Sequence, residues 1–312
     1  MSIIYDVLGV VFGPIMNVIY GVVNNYGVAI ILFTIFCRLL MLPSAVSQQK
    51  NQAKNQRIQY KMRKINEKYK DDKQRQMQEQ QEFYKREGYN PMSAGCSGGM
   101  LLQFPIMFGL MAAIYRPLQY TAGISKEVIA TLAGKAAEIL KDKTLTPSNL
   151  QIQLRIAENI DQFKSLLEPA TYDKILGFVE NFRFGPWQLG LTPREGKTFV
   201  YYLIPVLAGV TSMAASMYTT LRQRKANPAQ QQGMVMMMAM SLGMPIFSAV
   251  ISLNFPVGIG IYWIISSLVA LLQTVVLSFT HPPQRMLAKS MVDETIERRS
   301  RENSRKKVAE IN

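Results

Sequence analysis

The sequence predicts an all-α polytopic membrane protein: five transmembrane helices around a hydrophilic groove, with a cytoplasmic helical hairpin. Three observations predict it. Apolar residues gather into runs long enough to cross a bilayer, which takes about 20 helical residues. Charge is segregated: 35 Lys and Arg stand against 21 Asp and Glu, a formal net charge of +14, yet long stretches carry none. The basic residues crowd into the segments that link or follow the apolar runs, as the positive-inside rule requires of cytoplasmic loops.

Residues 1–26 hold no Lys or Arg, and Asp6 is their only charge. Gly9, Gly13, Pro14 and Gly21 break the apolar stretch 2–23, and Asn17, Asn24 and Asn25 interrupt it further. A helix lying in the interface suits this pattern better than a sixth span. A signal peptide would start with a basic region and end at a small-residue site, and neither is visible.

The spans follow at 27–47, 98–118, 198–220, 233–253 and 257–279. The last two are joined only around Asn254, Phe255 and Pro256, so they must form a tight antiparallel hairpin. Segment 48–97 carries 12 basic and 6 acidic residues, loop 221–232 carries Arg222, Arg224 and Lys225 with no acid, and tail 280–312 carries eight basic residues. Loop 119–197 is nearly balanced, ten basic against nine acidic. Five spans then place the N-terminus outside and the C-terminus in the cytoplasm of a bacterial plasma membrane.

Segment 48–90 is rich in Gln, Lys, Arg, Glu and Met, good helix formers. It has no Pro before Pro91 and no Gly before Gly88, and Lys70-Asp71-Asp72-Lys73 is a natural turn. Ile58, Met62, Ile65 and Tyr69 on one arm and Met77, Phe83 and Tyr84 on the other predict a thin seam between two polar helices. Lys61, Arg63, Lys64, Lys73 and Arg75 present its positive face. The loop 119–197 mixes amphipathic stretches, Val128 to Leu140 and Leu150 to Leu167, with Pro147, Pro169, Pro186 and Pro193. It predicts a small helical cap on the outer face.

Chemistry centres on Arg38, near the middle of the first span and taken as the only charge inside the five. An arginine at mid-membrane costs roughly 2.5–3.5 kcal/mol on insertion scales. No Asp or Glu lies in any span, which excludes a buried ion pair. The arginine either snorkels to the cytoplasmic edge or faces an aqueous pocket, and the pocket suits its depth better. Thr34 shares its helix face. Gln103 in the second span, Ser212 and Ser216 in the third, Ser241, Ser248 and Ser252 in the fourth, and Tyr262, Ser266 and Gln273 in the fifth are candidate lining. Singly, such residues are ordinary interhelical hydrogen-bonding groups; beside Arg38 they suggest one shared groove. The run Met234 to Met244 suits either an adaptable substrate surface or plain lipid-facing packing.

The tail residues Arg298, Arg299, Arg301, Arg305, Lys306 and Lys307 suit an anionic partner, lipid headgroups or RNA backbone. No aromatics interleave with them, which argues against base recognition. Cys37 and Cys96 form no CxxC pattern and His281 is the single histidine, so no disulfide framework, metal site or cofactor is expected. No nucleophile–base pair or phosphate loop appears, and the chain is not expected to be an enzyme.

Three stretches carry a resemblance. The first is Tyr26 to Ile31 with Cys37-Arg38-Leu39-Leu40-Met41-Leu42-Pro43. The second is Gly88-Tyr89-Asn90-Pro91 to Cys96, then Gln103-Phe104-Pro105-Ile106. The third joins Met244-Pro245-Ile246-Phe247, Phe255-Pro256-Val257-Gly258 and Tyr262-Trp263 to Leu268. In order and topology the chain resembles the YidC/Oxa family of membrane protein insertases, bacterial five-span type, over most of 17–280. The resemblance implies a groove open to cytoplasm and lipid but closed outside, with Arg38 as its arginine and Thr34, Gln103, Tyr262 and Ser266 as lining. It implies that the arginine draws in the polar outer segment of a nascent membrane protein while the apolar helix slides into lipid. The hairpin would capture substrate, and the tail would meet the ribosome or targeting factors. The protein would act as a monomer, alone or beside the Sec translocon. Burial of the substrate helix, at roughly 25 cal/mol per Å², supplies the drive without ATP. The rival readings are a secondary transporter with Arg38 as its anion site, which the lack of internal repeats disfavours, and a ribosome tether, which leaves Arg38 unexplained.

Overall fold

A computed structural model describes residues 2–88, 98–142, 145–196, 198–226 and 234–280, with scattered residues between 282 and 303. The described chain is helical apart from one two-stranded hairpin. The helices are α1 (Ser2–Val23), α2 (Tyr26–Leu40), α3 (Leu42–Lys68), α4 (Lys73–Arg86), α5 (Gly98–Tyr115), α6 (Pro117–Tyr120), α7 (Lys126–Ile139), α8 (Ile152–Glu158), α9 (Pro169–Asn181), α10 (Leu203–Ala226), α11 (Met234–Ser252) and α12 (Val257–Thr280). Among the described residues two helical stretches are long and apolar enough to cross a membrane, Phe199–Arg222 and Val257–Thr280; counting the bent pair Tyr26–Leu40 and Leu42–Gln49 as one span makes three. The all-α membrane class stands on these helices.

The first span is not one continuous helix. It breaks at Met41, and α3 restarts with Pro43 in its first turn. Proline lacks the N–H that would continue the ladder and its ring crowds the carbonyl four residues back. Arg38 therefore lies in the last turn of α2 rather than mid-helix. A second correction concerns charge. Arg116 falls within the expected span 98–118, so Arg38 is not the only charge by that boundary. The structure ends α5 at Tyr115 and uses Arg116 as the N-cap residue of α6, outside the apolar helix.

The chain divides into two compact units. One comprises Met1–Leu40, Leu102–Tyr218 and Met236–Leu271. Its core is a single cluster that runs from Tyr26, Ile30 and Phe33 of α2 through Ile114 and Leu118 into Leu132, Ile156, Phe163, Ile175 and Phe178 of the long loop. Tyr26, fully buried, donates its hydroxyl to the carbonyl of Ala113 at 3.0 Å. Its ring sits 4.7 Å from that of Phe182 and 5.8 Å from that of Phe178, so the loop is packed directly onto the N-terminal end of α2. Helix α1 crosses this same region: Phe12 meets Phe33, Tyr20 meets Tyr26 and Phe178, and Gly9 and Gly13 leave room only for the ring of Tyr120.

The loop itself holds α7 to α9, a 3₁₀ turn at Ile160–Leu166, and the hairpin β1 (Arg183–Phe184) and β2 (Trp187–Gln188). Ser125 caps α7 by accepting from the amide of Val128. The hairpin was not anticipated, although its signal is visible in Phe184-Gly185-Pro186-Trp187. Gly185 adopts φ +56°, the first central position of a primed two-residue turn, and proline suits the second.

The other unit comprises Met41–Leu101, Thr219–Val235 and Leu272–Asn312. Within it α3 and α4 pair through Ile58, Met62 and Phe83, flanked by Ile65 and Tyr84. Asp72 caps α4 by accepting from the amide of Arg75 at 3.0 Å. Met77, expected in the seam, is 59% exposed, and Tyr69 instead donates to Glu79 at 3.2 Å.

Candidate functional site

Arg38 and Ser266 meet. The Nε of Arg38 donates to the hydroxyl of Ser266 at 3.1 Å, and an Nη of the same guanidinium also donates to it. Arg38 is half-buried and Ser266 is 4% exposed. The break at Met41 adds a second stabilising influence, because a cation in the last turn of a helix faces the unsatisfied carbonyls and the negative end of the dipole. The helix ends where the charge sits. About three turns of largely apolar helix, from Tyr26 to Cys37, lead to Arg38, and Pro43 stops the helix behind it.

A second polar contact lies beside the first. Ser212 of α10 and Ser267 of α12 share a hydrogen bond at 2.9 Å. Consecutive residues on a helix point about 100° apart, so α12 offers one hydroxyl to α2 and the next to α10. Sequence reasoning had named Ser212 and Ser266 but passed over Ser267, whose only signal was its place next to Ser266.

The remaining candidates separate. Thr34 is 1% exposed and donates to the carbonyl of Ile30 at 2.7 Å, so its hydroxyl is spent on its own helix. Ser252 does the same toward Ala249 at 2.9 Å. Tyr262 is 2% exposed, inside the packed core. The side chains of Gln103 and Ser241, and those of Met234 to Met240 with Met244, lie outside the described residues. In the hairpin Lys61 pairs with Glu87 at 2.7 Å and Arg63 with Glu67 at 2.7 Å. Arg75 lies over the ring of Tyr69 at 5.5 Å. Lys64 and Lys73 are exposed. Of the tail residues, Arg299 is described and exposed, whereas Arg298, Arg301, Arg305, Lys306 and Lys307 lie outside the described residues, as do Cys96 and His281.

The second unit adds two polar contacts that sequence reasoning missed. Gln49 is 7% exposed and donates to the carbonyl of Leu277 at 3.4 Å, and half-buried Arg222 donates to that of Thr274 at 3.3 Å. Both carbonyls belong to the last turns of α12, three residues apart.

Residues 18–284 match the family described as 60Kd inner membrane protein. The chain belongs to that family. As a member of the 60Kd inner membrane protein family it is a multi-pass protein of the inner membrane. Curated relatives carry the name "Membrane protein insertase YidC". One from Geobacter metallireducens is 26% identical over 254 residues, covering 81% of this chain and 33% of the relative. One from Beijerinckia indica is 30% identical over 261 residues, 83% of this chain and 35% of the relative. One from Brucella suis is 42% identical over a shorter stretch of 97 residues, 31% of this chain and 16% of the relative. This member of the family spans about a third of the length of the first two relatives.

Proposed function

We propose that the protein inserts nascent membrane proteins into the bilayer and helps them fold. The observation that carries the reading is the Arg38–Ser266 pair: a half-buried cation at the end of an apolar helix, held by a hydroxyl of a second apolar helix. A cation so placed offers an anionic or polar segment a favourable stop partway across the hydrocarbon, and it shortens the path that segment must cross. Family membership and the name shared by the relatives support the same reading.

In this proposal the five spans at 27–47, 98–118, 198–220, 233–253 and 257–279 enclose a hydrated groove, with the N-terminus outside and the tail in the cytoplasm. Helix α1 lies obliquely in the outer interface, which its contacts with Tyr120, Phe178 and Phe33 support. The α3–α4 hairpin captures substrate through its basic face, Lys61, Arg63, Lys64, Lys73 and Arg75. The basic tail meets the ribosome, targeting factors or anionic lipids by salt-sensitive attraction. The protein acts as a monomer, alone or with the Sec translocon, and the reaction involves no covalent chemistry.

The test is insertion into purified proteoliposomes. The substrate is a single-span protein with an acidic outer tail, scored by protease protection of that tail. Wild type is expected to protect it, Arg38→Lys to keep part of the activity, and Arg38→Leu to lose at least about tenfold, a barrier change near 1.4 kcal/mol. Equal protection by all three variants would remove Arg38 from the mechanism, and protection no better than empty liposomes would end the insertase reading.

A further inference from the structure

The 189–196 strap of the long loop closes over the N-terminal end of α12. The first amides of a helix have no partner in the helix itself. For α12 two of them are satisfied by strap carbonyls: Val257 donates to Leu191 at 2.9 Å and Gly258 to Leu189 at 3.0 Å. Four apolar side chains converge there, Ile30 of α2, Ile114 of α5, Leu189 and Val257, each no more than 1% exposed. Gly258 shows how tight the closure is. A methyl group on it would stand 3.2 Å from Ile30, 3.3 Å from Ile114 and 3.4 Å from the carbonyl of Leu189. The closure lies eight residues from Arg38 along α2 and eight from Ser266 along α12, about 12 Å on either helix.

A polar segment that reaches Arg38 and continues outward meets this closure next. The strap is fastened to the loop by packing and by a polar latch: Leu189 donates to the carbonyl of Phe182 at 3.3 Å, and Gly190 lies against Leu154 and Phe182. Glu195 pairs with Arg155 of α8, and its other oxygen accepts from the amide and the hydroxyl of Thr192 at 3.0 and 2.9 Å. On the near side Trp187 donates to Val200 at 2.9 Å and Gln188 to Tyr201 at 3.0 Å. The strap thus has two apolar teeth, Leu189 and Leu191, two main-chain bonds to α12, and a charged catch.

We infer that the 189–196 strap is the outer gate of the groove, that it parts from the N-terminus of α12 to let the substrate's polar tail leave, and that Arg155 and Glu195 are the latch that re-seats it. The inference rests on the proposed insertase reading. The gate moves one short segment: its two hydrogen bonds to α12 and the one from Leu189 to Phe182 break, and Leu189 and Leu191 withdraw, while the helices stay packed.

The test pins the gate. Cysteines at Leu191 and Val257, which face each other across a main-chain hydrogen bond, are oxidised in proteoliposomes and the cross-link is confirmed by peptide mass mapping. Oxidation is expected to lower insertion of the acidic-tailed substrate at least tenfold, and reductant to restore it, with oxidised wild type unaffected. An oxidised pair that inserts as fast as the reduced pair overturns the gate. Should the cysteine pair be inactive in both states, Arg155→Met decides: a rate for long polar tails raised several-fold supports the latch, and an unchanged rate overturns it. Wild type that inserts nothing is a different outcome, since it removes the insertase reading itself.

Discussion

The hydroxyl of Ser266 accepts from two nitrogens of Arg38 and so orients the plane of the guanidinium as well as its position. A hydrogen bond to a charged group contributes about 1.5–3 kcal/mol in proteins. Ser266→Ala is therefore expected to lower insertion of acidic-tailed substrates by roughly tenfold, less than Arg38→Leu, because the charge remains and only its aim is lost. Ser266→Thr, which keeps the hydroxyl, is expected to recover most of the rate. If Ser266→Ala matched wild type across substrates of different tail charge, the pair would be a packing contact alone.

At the scale of the element, the α8 latch carries two carboxylates with opposite tendencies. Burial pushes Glu158 above the ordinary carboxylate value, with Arg155 opposing and the nearby Glu195 reinforcing the rise. Burial also raises Glu195, but hydrogen bonds from Thr192 and Arg155, with the attraction of Arg155, outweigh it and leave Glu195 below that value. Linkage then sets two arms. Glu158 binds its proton more tightly in the folded state, so its contribution to stability grows as pH falls from neutral through its raised pKa. Glu195 binds its proton less tightly when folded, so its contribution is present above the ordinary value of about 4.3 and is lost as pH falls through its lowered pKa. Thermal unfolding in detergent should show a stability maximum on the acid side of neutral. Glu158→Gln is expected to flatten the neutral arm and Glu195→Gln the acid arm; unchanged arms in both variants would show that neither carboxylate is coupled to folding.

For the whole molecule, the two compact units divide the charge. The unit that carries Arg38 and the strap also holds the long loop with its ten basic and nine acidic residues, whereas the other holds the 12 basic residues of 48–97 and the eight of the tail. Phosphate contacts made by such residues release counterions, and each steepens the salt dependence of binding by roughly 0.7–0.9 in the log–log slope. Removing residues 281–312 is expected to weaken ribosome binding by proteoliposomes and to flatten its salt dependence, while insertion of a pre-released short substrate continues. A truncated protein with the wild-type slope would assign the ribosome contact elsewhere, and the hairpin would be tested next.

Much of this was determined by the sequence alone. Apolar runs, the basic segments between them and the prolines at 43, 105 and 256 are properties of one stretch at a time, and they were enough for the all-α membrane class and the family. The presence of Arg38 within an apolar run and of small polar residues on other helices was equally legible. The break at Met41 was legible in principle, since Pro43 was in view, but length and hydropathy alone read through it. What only the tertiary structure decided is which hydroxyl meets Arg38, that Thr34 and Ser252 bond to their own helices, and that the long loop caps α12 through Leu189 and Leu191. Those outcomes depend on how each helix is rotated about its axis and on main-chain groups that every residue carries alike. Neither is written in the side-chain pattern of any single segment, so they are settled only when the helices pack.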